Sequence, residues 1–400
     1  MGDYKHRTGN LKLRVVDKNG NLVKNSKVTV KQAGHKILFG CAGFESVELV
    51  NGELSGIEKE YTEIRVQKMR ELFNSVTLPF YWGGFESKQG NPDTDRLKKT
   101  AKWWKEHDCK VKGHPLCWHT VTAPWLLSMS DDEILSTQLK RIEREVTNFA
   151  GIIDMWDVIN EVVIMPIFDK YDNGITHICK KNGRIGLVKK VFAEAKKANP
   201  NAVLLINDFD MSESYDILIE GLLESGVPID AIGLQSHMHQ GCWTAEKTEE
   251  ILERYSRFGL PLHFTEINLV SGNIMPKNIV DLNDYAVGEW PSTPEGEERQ
   301  AAEAAAFYKL LFKNPLVEAV TYWSFTDGGW LNAPAGLMTV DAKVKPVYDS
   351  LYNLIKKEWW TPEQVMTTDN EGFIDVTGFK GKYTVEFDGG AGVIMNFAID

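Results

Sequence analysis

Between residues 37 and 357, short β-rich apolar runs alternate with long amphipathic segments, and the alternation repeats eight times. The strand-like runs are ILFGCA (37–42), SVTLP (75–79), KVKGH (110–114), IDMWDVIN (153–160), AVLLIND (202–208), AIGLQSH (231–237), PLHFTEI (261–267) and AVTYWSF (319–325). Helix starts are marked between them. Ser130 and Glu133 form a capping box ahead of ILSTQLKRIEREV, and Thr293 with Pro294 supplies an N-cap and a first-turn proline before ERQAAEAAAFYKLLF. Eight strands alternating with helices predict an α/β fold, a closed (β/α)8 TIM barrel. An open doubly wound sheet is the alternative. It usually carries a glycine-rich phosphate turn after an early strand, and none is present.

The two ends read differently. Residues 9–32, GNLKLRVVDKNGNLVKNSKVTVKQ, alternate with period two around KNGN, a hairpin signature, and 369–390, DNEGFIDVTGFKGKYTVEFDGG, read the same way with turns at 370–372 and 378–381. The expected division is an N-terminal β segment (1–36), the barrel (37–360) and a C-terminal β segment (361–400). The two end segments are expected to pair into one small sheet beside the barrel.

Composition narrows the partners. A formal net charge of -11 without a basic block excludes a phosphate-tracking surface, so nucleic acid is not an expected partner. No apolar run approaches the roughly 18–20 residues of a membrane helix, so no membrane partner is expected either. Twelve Trp and 12 Tyr leave aromatic faces to spare beyond the core, a common way to hold sugar rings. Five Cys without a CxxC pair favour reduced thiols. With no apolar signal region in MGDYKHRTGN, a cytoplasmic protein is expected, or a secreted one whose leader has been removed.

In a barrel of this kind the chemistry sits at the C-terminal ends of the strands, and there this chain is polar: His114, Glu161, Asp208, His237, Glu266 and Asp327. A single strand-end acid is often only a helix cap or an ion-pair partner; six ionisable groups on one rim suggest a site. Glu161 follows WDVIN and Glu266 lies within HFTEINL, runs too apolar for a solvated charge. Strands four and seven face each other across the mouth, so these carboxylates can flank one scissile bond, as glycoside hydrolysis requires. A metal hydrolase built on His237, His239, His114, His119 and Asp327 is the competing reading. The HxH follows the sixth strand, however, where such barrels place it after the first.

The pieces ELFNSVT, KGHPLCWH, WDVINE, INDF, IDAIGLQSHMH, GLPLHFTEIN, TYWSFTDGGW and KPVYD, in this order over about 320 residues, resemble the family 10 glycoside hydrolases, mostly endo-β-1,4-xylanases. The resemblance implies a retaining double displacement with Glu266 as nucleophile and Glu161 as acid/base, the carboxyls about 5–5.5 Å apart. It implies that Asn160 binds the 2-hydroxyl of the cleaved sugar and that Gln235 and His237 hydrogen-bond the nucleophile, with Asn268 behind His237. His114, Trp118, Trp323 and Trp330 would line the sugar subsite, with Tyr81 and Trp82 in the second-strand loop. No metal or organic cofactor is implied; the partner would be xylan or a β-linked xylo-oligosaccharide.

Three departures bear on substrate. After FNSVT the family continues with a Glu-Asn pair and a Met-Lys-Trp that grip sugars on the non-reducing side. This chain reads LPFYWGGFES, about two residues shorter, with only the spacing of Trp82 to Glu86 retained. Asn268 stands where an Asp usually partners the His matching His237, which predicts a more often neutral imidazole and an altered pH profile. WSFTDGGW is one residue short between Trp323 and Trp330. Together these predict an atypical glycone subsite. The alternatives are hydrolysis of another β-linked or decorated glycoside, including exo action, or a non-catalytic carbohydrate-binding barrel.

Overall fold

The computed structural model describes residues 2–387 and 392–400. Strands β1 (Thr8–Arg14) and β2 (Lys27–His35) precede the barrel. The barrel consists of β3 (Leu38–Ala42), β4 (Ser75–Pro79), β5 (Lys110–His114), β6 (Met155–Asn160), β7 (Val203–Asp208), β8 (Ala231–Leu234), β10 (Leu262–Leu269) and β11 (Val317–Tyr322). They pair in parallel in that order. The sheet closes where β11 meets β3, from Ala319 opposite Leu38 to Tyr322 opposite Cys41. The sixth run breaks after Leu234, and its end forms a two-residue strand, β9 (His237–Met238), which pairs with β10 through His237 and Asn268.

Helices fill the spaces between strands as their caps dictate. Glu133 accepts hydrogen bonds from the Ser130 backbone N–H (2.8 Å) and hydroxyl (2.7 Å), opening the helix Asp131–Phe149. Its buried stripe, Ile134, Gln138, Arg141, Ile142, Glu145, Val146 and Phe149, recurs at helical spacing. Thr293 Oγ1 accepts from the Gly296 N–H (3.0 Å) at the start of Pro294–Lys313. On the outer face of the barrel, beneath the helix Asp131–Phe149, Gly113 lies opposite Trp156 in the β5–β6 ladder, and a Cβ there would stand 2.1 Å from the indole ring. The absent side chain is what lets Trp156 lie across β5 and meet Phe80 edge-on at 4.8 Å.

The chain ends form two small sheets where one was expected. β1 pairs with β13 (Phe373–Phe379), while β2 lies between β12 (Gln364–Thr367) and β14 (Gly381–Phe387), with β15 (Val393–Ile399) on the far side of β14. The KNGN turn holds Val16 to Leu22 in a single bridge, after which β1 and β2 part. The reason is burial: Leu13, Val15, Val28, Val30, Ile374, Val376, Val385 and Ile399 occupy one apolar face of each sheet, and stacking the sheets covers both faces. The last letters of the C-terminal run, DGG (388–390), lie outside the described residues. This unit joins the barrel at the beginnings of its strands, away from the mouth. Arg7 donates to the carbonyls of Phe312 (3.0 Å), Asn314 (2.7 Å) and Val317 (2.8 Å), and Trp359 stacks on Phe312 at 4.0 Å. The five cysteines are free. Among the described residues no helix is long and apolar enough to cross a membrane.

Candidate active site

β6 delivers two polar side chains to the barrel mouth in succession. Asn160 is its last residue, and Glu161 turns the chain with φ of 57°, a left-handed conformation uncommon outside glycine. The Glu161 N–H donates to Asn207 O (2.8 Å), fixing that turn against β7. Such a conformation costs about 1–3 kcal/mol and persists where the surroundings impose it, here through the bond to β7. Opposite, β10 presents Glu266, which is 4% exposed.

Three amides tie the two carboxyls into one network. Asn207 Nδ2 donates to Glu266 Oε1 and to Asn160 Oδ1, both at 2.8 Å, and its own Oδ1 accepts from Thr265 (2.7 Å). Gln235 Nε2 reaches Asn160 Oδ1 (3.1 Å) and Glu161 Oε1 (3.2 Å), and Asn160 Nδ2 reaches the same Glu161 oxygen (3.2 Å). Gly233, opposite Asn207 in the ladder, leaves the room: a Cβ there would lie 2.4 Å from Asn207 Oδ1. Trp118 Nε1 donates to Glu161 Oε2 (2.8 Å), and His237 Nε2 lies 3.0 Å from Glu266 Oε2. Asn268 Oδ1 accepts from the Ser324 N–H (3.2 Å), which turns its NH2 toward His237 Nδ1 (3.3 Å). With Nδ1 an acceptor, the ring proton sits on Nε2 and is donated to Glu266.

The two carboxyls are held in opposite states. Burial first, and then the negative charges of Glu266 and Asp208, push Glu161 up to about 8 against the hydrogen bonds from Trp118 and Gln235. Burial would raise Glu266 too, but the hydrogen bond from His237 and the positive charges of the floor beneath it, at His114 and Lys112, hold it below the usual carboxylate range. Beneath lies a buried charged floor. Lys112 Nζ is 2.8 Å and His114 Nδ1 2.7 Å from Asp157 Oδ2, and together they keep the buried Asp157 below its ordinary value, although burial alone would raise it. An acid that is protonated at neutral pH thus faces an ionised carboxylate across the mouth, which suits proton transfer and nucleophilic attack on one bond.

Tyr81, His114, Trp118 and Trp323 stand together beside this pair, with His114 5.6 Å from Tyr81 and 5.3 Å from Trp323, ring to ring. Trp330 lies 4.6 Å from the His237 ring. Trp82 does not join them. Its buried ring lies under the Arg141 guanidinium (4.9 Å) and against Trp125, with Nε1 donating to Glu86 (3.1 Å), so no face is open to a sugar. Gln235 was expected on Glu266 but serves Glu161; the amide on Glu266 belongs to Asn207. Asp327 was counted on the rim, yet it pairs with Lys345 Nζ (2.8 Å) and caps the Gly336 N–H. Asp208 is buried, accepts from the N–H groups of Val163 and Asp210, and is raised to about 7 by burial. Sequence reasoning missed Asn207, Asp157, Lys112 and Phe44, whose ring meets Tyr81 (5.8 Å) and Trp323 (5.5 Å). For Asn207 and Asp157 a signal existed: each is a polar residue inside an apolar strand. Among the described residues no three His, Cys, Asp or Glu side chains gather where they could hold a metal ion, and His119 packs on Phe168 instead.

The sequence and the fold have counterparts among known proteins. The chain is 27% identical to Endo-1,4-beta-xylanase B of Thermotoga neapolitana over 257 residues, 62% of this chain and 67% of that protein. Its match to the Endo-1,4-beta-xylanase/feruloyl esterase of Xylanibacter ruminicola, at 24% identity, covers 66% of this chain and 39% of that longer protein. In fold it is similar to native xylanase 10B from Thermotoga maritima, with a TM-score of 0.64 and 25% identity over 81% of this chain and 96% of the other. A sequence model described as Glycosyl hydrolase family 10 matches residues 49–354, more than half of the chain. The closed eight-stranded barrel is therefore shared along with the sequence, and the chain belongs to glycosyl hydrolase family 10, an enzyme of the glycoside hydrolase class.

Proposed function

We propose that this hydrolase cleaves β-1,4-xylosidic linkages in xylan or xylo-oligosaccharides with retention of configuration. The observation that carries the reading is the facing pair of buried carboxyls at the ends of β6 and β10, joined through Asn160, Asn207 and Gln235, with burial raising Glu161 and the His237 hydrogen bond lowering Glu266. In the first step a Glu266 oxygen attacks the anomeric carbon while the bond to the leaving oxygen breaks and Glu161 gives that oxygen its proton. The glycosyl ester carries no charge at Glu266, which removes one of the causes raising Glu161. The Glu161 carboxylate is then stabilised by Trp118 and Gln235. In the second step it takes a proton from water, whose oxygen attacks the same carbon and expels Glu266. Asn160, whose Oδ1 accepts from Asn207 and Gln235, meets the sugar 2-hydroxyl in this reading, a contact that strengthens as the oxocarbenium ion develops.

A second reading, hydrolysis of another β-linked or decorated glycoside, draws on one observation. Tyr81 immediately precedes Trp82, the place of the lysine in the family's Met-Lys-Trp, and with Phe44 and Trp323 it builds an aromatic wall where polar sugar-gripping groups would stand. Burial, with the charges of Glu266 and Glu161, raises the Tyr81 phenol well above its ordinary value, so it stays a neutral donor. Product analysis on xylans, xylo-oligosaccharides and aryl glycosides tests both readings, beside Glu161→Ala and Glu266→Ala. Release of β-configured xylose or xylo-oligosaccharides, abolished by Glu266→Ala, is the expected result. Activity that survives Glu266→Ala refutes the mechanism, and turnover confined to other glycosides selects the second reading.

A further inference from the structure

The loops that leave the fourth and seventh barrel strands, 161–173 after β6 and 270–293 after β10, carry the two carboxylates at or beside their roots and meet again farther out. Lys170 Nζ lies 2.7 Å from Asp281 Oδ2 and 2.6 Å from Asp284 Oδ1. The longer loop reaches that point by way of the sixth strand. The Met275 N–H donates to His239 O (3.0 Å), and the Gln240 amide donates to the carbonyls of Pro276 (2.9 Å) and Ile279 (2.8 Å). From the eighth-strand loop, Trp330 Nε1 donates to Asn283 Oδ1 (3.1 Å), between the two acids that Lys170 holds. Residues 275–284 thus bridge β10 to β6 along the arc of β7 and β8, on the side of the mouth away from Phe44, Tyr81 and Trp323.

We propose that this segment is a specificity-determining strap, fastened by Lys170 to Asp281 and Asp284, that closes the leaving-group end of the cleft and restricts the enzyme to short leaving groups. The proposal rests on the reading above, in which Glu161 protonates the leaving oxygen and the second-strand loop holds the glycone. A polymer that runs through the site needs both ends of the cleft open. An arc joined from strand four to strand seven converts the leaving-group end into a pocket wall, so a long chain enters only when the fastening parts. The side chains of Lys170 and Asp284 are 40% and 64% exposed, so the fastening is one that salt screens and thermal motion opens.

Lys170→Ala tests this, with kcat/KM measured on phenyl β-xyloside and on xylohexaose. The expected result is a rise on xylohexaose of about fivefold, the shift in an opening equilibrium that exposed ion pairs sustain, with phenyl β-xyloside changed less than about twofold. About 0.5 M NaCl should raise the wild-type ratio of the two rates likewise and leave the variant unchanged, and Lys170→Arg should keep the wild-type ratio. Hydrogen exchange of amides 275–285 supplies a readout independent of turnover, expected to quicken in Lys170→Ala. An unchanged ratio, or unchanged exchange, overturns the strap even if Glu266-dependent xyloside hydrolysis stands. Absence of that hydrolysis in the wild type refutes the proposed function instead, and exchange still decides whether Lys170 fastens the segment.

Discussion

Replacing Trp118 with Phe should move the alkaline limb of the pH profile upward by about one unit. Glu161 has three hydrogen-bond donors, and Trp118 Nε1 at 2.8 Å is the closest; Gln235 and Asn160 stand at 3.2 Å. A hydrogen bond to an ionised group is worth about 1.5–3 kcal/mol and one to a neutral group about 0.5–1.5 kcal/mol. Loss of the indole N–H therefore costs the carboxylate about 1–1.5 kcal/mol more than the acid, which at about 1.36 kcal/mol per unit raises an acid already at about 8 to about 9. Glu161 must carry its proton to give it away, so activity is lost as pH rises through that value, and a higher value means a later loss. The assay is kcat/KM against pH on phenyl β-xyloside, whose poor leaving group makes the proton necessary. Phe keeps an aromatic face beside Tyr81 and His114, so any loss of sugar contact lowers the whole curve without moving its midpoint. Gln235→Leu, which removes a longer bond, should move the limb the same way by less. A limb that stays near pH 8, or falls, in Trp118→Phe would refute the assignment of Glu161 as the acid.

Asn268→Asp should shift the acidic limb of the same profile down by about one unit, because a carboxylate facing His237 Nδ1 would keep a proton there and place a full positive charge 3.0 Å from Glu266. An unmoved acidic limb would show that Asn268 does not act through His237. Gly113→Ala forces a Cβ to 2.1 Å from Trp156 and should lower unfolding free energy by at least about 2 kcal/mol, read as a drop in the urea midpoint. A midpoint within error of wild type would mean that the layer between the sheet and the helix Asp131–Phe149 can shift. Stability should peak near pH 6.5. Burial holds His35 and His119 down to about 4 and His239 and His263 to about 3, so below pH 6.5 unfolding takes up four protons there, while Asp208, at about 7, and Glu161, at about 8, release two. The net two protons destabilise the fold by about 2.7 kcal/mol per unit as pH falls, and above pH 6.5 the two carboxyls, held protonated only in the folded state, reverse the slope. Urea midpoints at pH 5, 6.5 and 8 check this, and a highest value at either end contradicts it.

What the sequence reveals of this molecule is what each strand states by itself. SVTLP and KVKGH match β4 and β5 residue for residue, since an apolar run between a helix end and a polar turn carries its own boundaries. Glu161 and Glu266 stand out for the same reason, as charges closing runs that should bury everything. Relations between strands are less visible. The KNGN turn announces a hairpin correctly at Val16 and Leu22, but nothing local tells β1 that its partner is β13, more than 350 residues away.

Tyr81 and Trp82 show where that limit bears on function. Both lie in one short loop after β4, both are aromatic, and motif spacing singles out Trp82 because it keeps its distance to Glu86. That spacing is kept for a reason unrelated to sugar: the indole N–H, the Arg144 guanidinium (2.6 Å) and the Gly90 N–H all converge on the buried Glu86 carboxylate, which anchors the loop to the helix Asp131–Phe149. With Trp82 turned inward by that anchor, its neighbour Tyr81 meets His114 and Trp118 in the mouth. The kept interval therefore marks the residue that fixes the loop, and the residue beside it is the one that faces the mouth. Across the mouth the same contrast holds in the proposed reading: Glu161 and Glu266 are fixed by buried hydrogen bonds, while Lys170, Asp281 and Asp284 meet on the exposed loops that would govern what reaches them.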